Sequence, residues 1–295
     1  MNIALTGGTG FVGSHILSEL VAHGHEVTAL VRSEDEAIAV SKEGAKTAVV
    51  DLYDRPAVVG LLTSVDGSVH VASPGDETSA ALDSAMVDAV VEAYTGTGKP
   101  HVQITGIWNY GSNTDISENS SYHAPPMVAW KEEIEQRLFG AVDIRAIVPV
   151  VSVAYGDAGG GVPGVLLGSP RDDAGNLIMI GDGRQHWSTV HVADVANFFR
   201  RALENDSARG RYVVGNGINP TVAELTEAAA VAVGAPGAVP GSDEEARARL
   251  GDYFAEVLLL DQGTTSARAR GELGWQPTHP GLSDEFRAGS YFKRS

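Results

Sequence analysis

The sequence predicts an α/β fold, a doubly wound parallel sheet with a smaller, discontinuous lobe drawn from the C-terminal part of the chain. Three observations carry that expectation. The chain opens with an apolar strand over 2–6, a turn with glycines at positions 7, 10 and 13, and an amphipathic run from Ser14. Short apolar segments then alternate with helical ones as far as position 151, and the texture changes after Tyr155-Gly156. Strands separated by helices imply a parallel sheet covered on both faces. Such sheets bind ligands at the carboxyl ends of their strands, near the switch in strand order.

The opening unit is a dinucleotide-binding βα turn. Gly7 permits the tight turn, Gly10 lets the backbone approach a pyrophosphate, and Gly13 lets the helix pack close to the strand. Free N–H groups and the positive end of the helix dipole then face the anion. Gly7, Thr9, Gly10, Phe11, Val12 and Gly13 are therefore the expected cofactor contacts of a Rossmann-like domain.

The remaining elements follow in order. Glu26–Val31 reads as the second strand and 33–43 as a short helix. A third strand is expected over 45–50, then a helix over 54–62 with Pro56 tolerated in its first turn. The fourth strand is placed at 68–72, the long helix at Ser79–Tyr94 and the fifth strand at 101–105. A helix over 127–138 and a sixth strand over 142–151 complete the first half. Positions 157–183 read as loop, rich in Gly, Pro and Asp, followed by a strand at 188–192 and a helix from 195 to about 203. Positions 211–214 return to the sheet, and a helix over 220–233 starts at Thr221 with Glu224 three residues on, a capping box. The rest reads as helices ending near Trp275-Gln276-Pro277. Domain boundaries follow. Positions 1–156 plus about 187–216 form the dinucleotide-binding domain, and about 157–186 plus 217–295 the substrate-binding lobe.

Composition narrows the function. The formal charge of −17, from 21 basic and 38 acidic residues, argues against a nucleic-acid footprint, which needs clustered Lys and Arg. No apolar run is long enough to span a bilayer. A first strand at Asn2 leaves no room for a cleavable leader ahead of it, and the absence of cysteine excludes disulfides and thiolate metal sites. A cytoplasmic protein with a small-molecule substrate, no nucleic acid and no membrane is expected. His186 and His191 stand five residues apart along a strand with no carboxylate cluster beside them, so no metal is expected.

Cofactor choice is read at the end of the second strand. A carboxylate there would take the ribose 2′-OH of NAD. Val31-Arg32-Ser33 stands there instead, and a guanidinium with a hydroxyl suits a 2′-phosphate. NADP is expected ahead of NAD.

The chain resembles an extended, atypical short-chain dehydrogenase/reductase of the epimerase/dehydratase type. The resemblance rests on Thr6-Gly7-Gly8-Thr9-Gly10-Phe11-Val12-Gly13, Val50-Asp51-Leu52, Val69–Ala72, Thr105-Gly106-Ile107-Trp108, Tyr155-Gly156, His191-Val192-Ala193-Asp194-Val195-Ala196 and Leu273-Gly274-Trp275-Gln276-Pro277. It implies Asp51 and Leu52 beside the adenine, Ala72 near the cofactor ribose, His191 and Asp194 in a structural strand-to-helix junction, and a homodimer through the helices at 79–94 and 127–138. It also implies a Tyr-x-x-x-Lys pair on one helix face and a Ser/Thr donor after the fifth strand. The lysine matches Lys131, a ribose clamp, but Met127 stands where the tyrosine belongs, and methionine cannot donate a proton. The hydroxyl matches Thr105, or lies one residue off because Gly106 follows. Tyr155, Tyr122, His123 and Tyr110 are candidates to replace the acid, Tyr155 first, with a place in the pocket wall as its alternative. Thr105, Lys131 and Tyr155 are thus the expected catalytic set. The function expected is an NADP-dependent oxidoreductase acting on a small carbonyl or alcohol. Its alternatives are a sugar-nucleotide epimerase or dehydratase, and an NADP-binding regulator without turnover.

Overall fold

In the computed structural model, which describes residues 1–292, strands and helices alternate through the first half of the chain. β1 (Asn2–Thr6) leads into α1 (Phe11–Ala22), β2 (Glu26–Val31) into α2 (Glu34–Ser41), β3 (Lys46–Val49) into α3 (Arg55–Thr63), and β4 (Gly67–His70) into α4 (Ser79–Tyr94). β5 (Pro100–Gln103) and β6 (Thr105–Gly106) run into a 3-10 turn at Ile107–Tyr110, then β7 (Asn113–Ile116) and α5 (Lys131–Gly140). Next come β8 (Arg145–Val151), β9 (Val153–Tyr155), α6 (Gly161–Leu167), β10 (Leu177–Ile178), β11 (Thr189–His191), α7 (Val192–Glu204) and β12 (Gly210–Val214). The chain ends with α8 (Val222–Ala232), β13 (Ala238–Val239), α9 (Asp243–Leu250), α10 (Asp252–Leu258), β14 (Gln262–Thr264), α11 (Ala267–Leu273) and α12 (Leu282–Ala288).

Local chemistry sets several boundaries. Ser33 caps α2, Asp54 caps α3 ahead of Pro56, and Thr221 with Glu224 closes a capping box on α8. No side chain caps α1.

The main sheet has the order β12-β8-β5-β4-β1-β2-β3, every pair parallel, with β6 extending the pairing on β8. The winding reverses between β1 and β4, so their carboxyl ends form the switch point. Strand residues alternate between two cores. Ile3 and Leu5 pack under α1 and α7, with Ile16, Leu20, Phe198 and Phe199. Ala4 and Leu30 face the opposite layer, with Val58, Met86, Val90 and Leu138 of α3, α4 and α5. Burial on both faces explains the near-continuous apolar strands. A third cluster, including Leu166, Ile180, Trp187, Leu225, Leu258 and Phe286, forms the core of the C-terminal lobe.

Several elements depart from expectation. α6 lies inside the stretch expected as loop, its apolar Val162, Val165 and Leu166 masked in the sequence by glycines and by Pro163. β11 falls within the strand expected at 188–192, but its partner β9 and the pairs β7 with β14 and β10 with β13 are two to four residues long and join distant segments, so no local alternation marks them. α12 continues beyond the expected helical end. α11 and Trp275 pack with the main sheet's helical layer, where Trp275 Nε1 donates to the Asp194 carbonyl at 2.9 Å. Among the described residues, no helix is long and apolar enough to cross a membrane.

Candidate functional site

The turn after β1 is built for close backbone approach. Gly7 has φ of +76°, and a Cβ there would stand 2.7 Å from the Ala72 amide nitrogen. A Cβ on Gly13 would run into the Gly7 carbonyl. Only glycine serves at either position. With no side-chain cap, the first-turn amides and positive end of α1 are left to an outside acceptor.

Beside this turn lies a cleft of about 400 Å³ at the carboxyl ends of β1, β2, β3 and β4. Gly7, Thr9, Gly10, Arg32, Asp51, Leu52 and Ala72 line it, which brings together seven of the expected cofactor residues. Val12 and Gly13 lie within α1 and do not line it, and the Ser33 hydroxyl is taken up as the cap of α2. Arg32 is not free. Its guanidinium pairs with Glu36 at 2.7 Å, and its backbone N–H donates to the same carboxylate at 2.9 Å.

A second cavity of about 240 Å³ begins at Phe11. Its walls include Gly106, Ile107, Trp108, Val151, Val153 and Val162, and are mainly apolar. The cavity therefore lies between the carboxyl ends of β6 and β8 and the start of α6.

The sequence profile of the NAD dependent epimerase/dehydratase family matches residues 3–215. The chain belongs to that family. It is 29% identical to an uncharacterized protein of Schizosaccharomyces pombe over 99% of this chain and 100% of the relative. It is 26% identical to a 3-diazoavenalumate denitrifying reductase of a Streptomyces species, over 96% of this chain and 98% of that protein. Among solved structures, it is similar to the human epimerase family protein SDR39U1 (isoform 2), crystallised with NADPH. That match has a TM-score of 0.76 and 21% identity, over 98% of this chain and 99% of the other.

Against the pattern expected of this epimerase/dehydratase family, the catalytic positions are rearranged. Thr105 is buried, and its Oγ1 accepts from Asn109 Nδ2 at 2.9 Å, while the cavity wall falls to Gly106. A Cβ on Gly106 would meet nothing within 4 Å, so the hydroxyl is missing where space exists for one. Met127 is not the helical partner of Lys131 at all. α5 begins at Lys131, not at 127, and the Lys131 N–H donates to the Val128 carbonyl at 3.1 Å. The expected i,i+4 face therefore does not form.

Tyr155 corrects another expectation. It is fully buried, donates its hydroxyl to the Pro280 carbonyl at 2.7 Å and accepts from Asn216 Nδ2 at 3.2 Å. Burial pushes its phenol well above the ordinary tyrosine range. It packs the lobe, away from both cavities. Tyr122 donates to Glu135 at 3.0 Å, Tyr110 meets it edge-on at 4.8 Å, and exposed His123 donates its backbone N–H to Asn109; none of the three lines either cavity. His191 caps α7 and stacks on His279 at 4.2 Å, while Asp194 accepts from His279 Nδ1 at 2.9 Å.

Lys131 ends a buried chain. Its ammonium donates to Asp83 at 2.6 Å, the other Asp83 oxygen accepts from His70 Nε2 at 3.0 Å, and His70 Nδ1 lies 2.6 Å from the Thr6 hydroxyl. Because the carboxylate only accepts, His70 donates from Nε2, and a neutral ring then accepts from Thr6 at Nδ1. Burial raises the Asp83 carboxyl, but His70 and Lys131 outweigh it and hold the group below the usual carboxylate range. This chain ties Lys131 to the residue that opens the glycine turn.

Asp83, His70 and Glu36 escaped the sequence reading. Two left signals. Asp83 is a charge on the apolar face of the Ser79–Tyr94 helix, and Ser33 with Glu36 has the capping-box spacing that turns a carboxylate back toward residues 32 and 33. His70, inside a fully buried strand, falls in the Val69–Ala72 segment that carries the resemblance but at a position to which it assigns no role.

Proposed function

We propose that this chain is an NADP-dependent oxidoreductase that moves a hydride between the cofactor and a small carbonyl or alcohol. The observation that carries the reading is the cleft from Arg32 past Gly10 at the uncapped end of α1 to Ala72, with an apolar cavity lined by Phe11, the next residue along the chain. The turn, which a Cβ at Gly7 or Gly13 would force apart, keeps the uncapped first-turn amides of α1 beside the cleft, and that donor set fits a pyrophosphate. A nicotinamide dinucleotide held there supplies the hydride chemistry.

The chain's own residues bind and orient. The amides at the start of α1 hold the pyrophosphate, Asp51 and Leu52 flank the adenine, and Arg32 meets the 2′-phosphate. Ile107, Trp108, Val151 and Val153 keep water from the reacting carbon. Lys131 lines neither cavity; it clamps the ribose by turning the ammonium donors that Asp83 leaves free toward the sugar hydroxyls. The relatives support the reading: one is named a reductase, and a structural neighbour was solved with NADPH.

A regulator that binds NADP without turnover is the second reading, favoured by Gly106 in the cavity wall and by Lys131 held on Asp83. The test is incubation of the protein with deuterium-labelled NADPH and a panel of small aldehydes and ketones. Deuterium in an alcohol product supports the oxidoreductase. Tight NADPH binding with no transfer to any member supports the regulator.

A further inference from the structure

The cofactor cleft contains an internal competitor for its own arginine. Glu36 lines the cleft together with Arg32, and residue 32 holds both of its carboxylate oxygens. The backbone N–H of Arg32 donates to Oε2 at 2.9 Å, while Nε and Nη2 donate to Oε1 at 3.2 and 2.7 Å.

The two partners differ in freedom. The Arg32 side chain is 81% exposed, whereas that of Glu36 is 23% exposed. Glu36 sits in the first turn of α2, its own N–H donates to the Ser33 hydroxyl at 3.3 Å, and the positive helix end favours its charge. The guanidinium can swing; the carboxylate stays. A 2′-phosphate must therefore take Arg32 from Glu36 and accept a fixed negative charge beside it. A ribose 2′-hydroxyl needs neither concession, because it can donate to that carboxylate.

We infer that Glu36 sets the cofactor preference of this cleft, holding Arg32 back and so narrowing the advantage of NADP over NAD. The inference rests on the dinucleotide reading above.

Two probes separate the charge at the 2′ position from everything on the nicotinamide side: adenosine 2′,5′-bisphosphate and AMP. Each is titrated by calorimetry into the wild type, Glu36→Gln, Arg32→Ala and the double variant. The expected result is that Glu36→Gln tightens the bisphosphate by about threefold to tenfold, with AMP unchanged or weakened by about twofold. The double variant is expected to keep only the smaller part of that gain, from removal of the carboxylate charge, which places the rest on Arg32. A Glu36→Gln protein with the wild-type ratio of the two affinities overturns the inference alone. So does a gain that is undiminished without Arg32, or an equal loss for both probes, which would make Glu36 a helix cap and nothing more. A wild type that binds neither these probes nor any nicotinamide dinucleotide overturns the cofactor reading along with it.

Discussion

Lys131 Nζ stands 2.6 Å from Asp83 Oδ2, and this contact places a positive charge against a carboxylate that is only 2% exposed. Removing the lysine would leave Asp83 buried with His70 as its remaining partner. Lys131→Met is expected to cost about 3 kcal/mol of stability in urea unfolding, and Asp83→Asn in the same background to recover part of it. The contribution of Asp83 is present above the usual carboxylate range and is lost as pH falls through its lowered value. A Lys131→Met protein as stable as wild type would mean that the pair does not hold this layer together.

Acid sensitivity has a second source in His101. Burial pushes its imidazole down from 6.5 to about 3, with His70 adding to the shift. Between those values the unfolded chain carries a proton that the folded chain refuses, so stability falls as pH falls. One such group contributes a slope of about 1.4 kcal/mol per pH unit. Urea unfolding over a pH series is expected to show a shallower slope for His101→Gln, by about one proton. An unchanged slope would show that His101 is not the group responsible.

Two glycines of the site are expected to behave oppositely. Gly106→Ser places a Cβ into open space, and its stability should match wild type within about 0.5 kcal/mol. Gly13→Ala drives a Cβ into the Gly7 carbonyl and should cost about 3 kcal/mol or more, with loss of dinucleotide binding. Thermal unfolding and titration of both variants check the pair. A Gly13→Ala protein that binds normally would contradict the close packing of α1 on the turn.

Tyr155→Phe separates packing from catalysis. The lost hydroxyl bonds Pro280 and Asn216, so stability should fall by about 1–2 kcal/mol while NADPH affinity stays at the wild-type value. If the wild type turns over, the variant should keep its rate. A drop of about a hundredfold in kcat would return Tyr155 to the reacting centre.

Legibility in the sequence tracked how local each signal was. The glycine turn, the alternating strands and the Thr221 capping box are written within a few residues of where they act, and the cleft gathers Gly7, Arg32, Asp51 and Ala72 as the motifs indicate, whereas Ser33 reads as a phosphate partner and serves as a cap. The start of α5 was not legible. Spacing alone makes Met127 a helical partner of Lys131, whereas the chain turns through Val128 and enters the helix only at Lys131. The chain from Thr6 through His70 and Asp83 to Lys131 joins four elements, and no window along the sequence contains it. Tyr155 borders the right loop, but strand alternation turns its ring into the lobe while Ala154 faces the cavity.

The most direct test of the account is calorimetric titration of NADPH and NADH into the wild type and Arg32→Ala. The wild type is expected to bind NADPH more tightly than NADH, and the substitution to weaken NADPH by about tenfold while NADH changes little. Equal losses for the two, or no binding of either by the wild type, would contradict it.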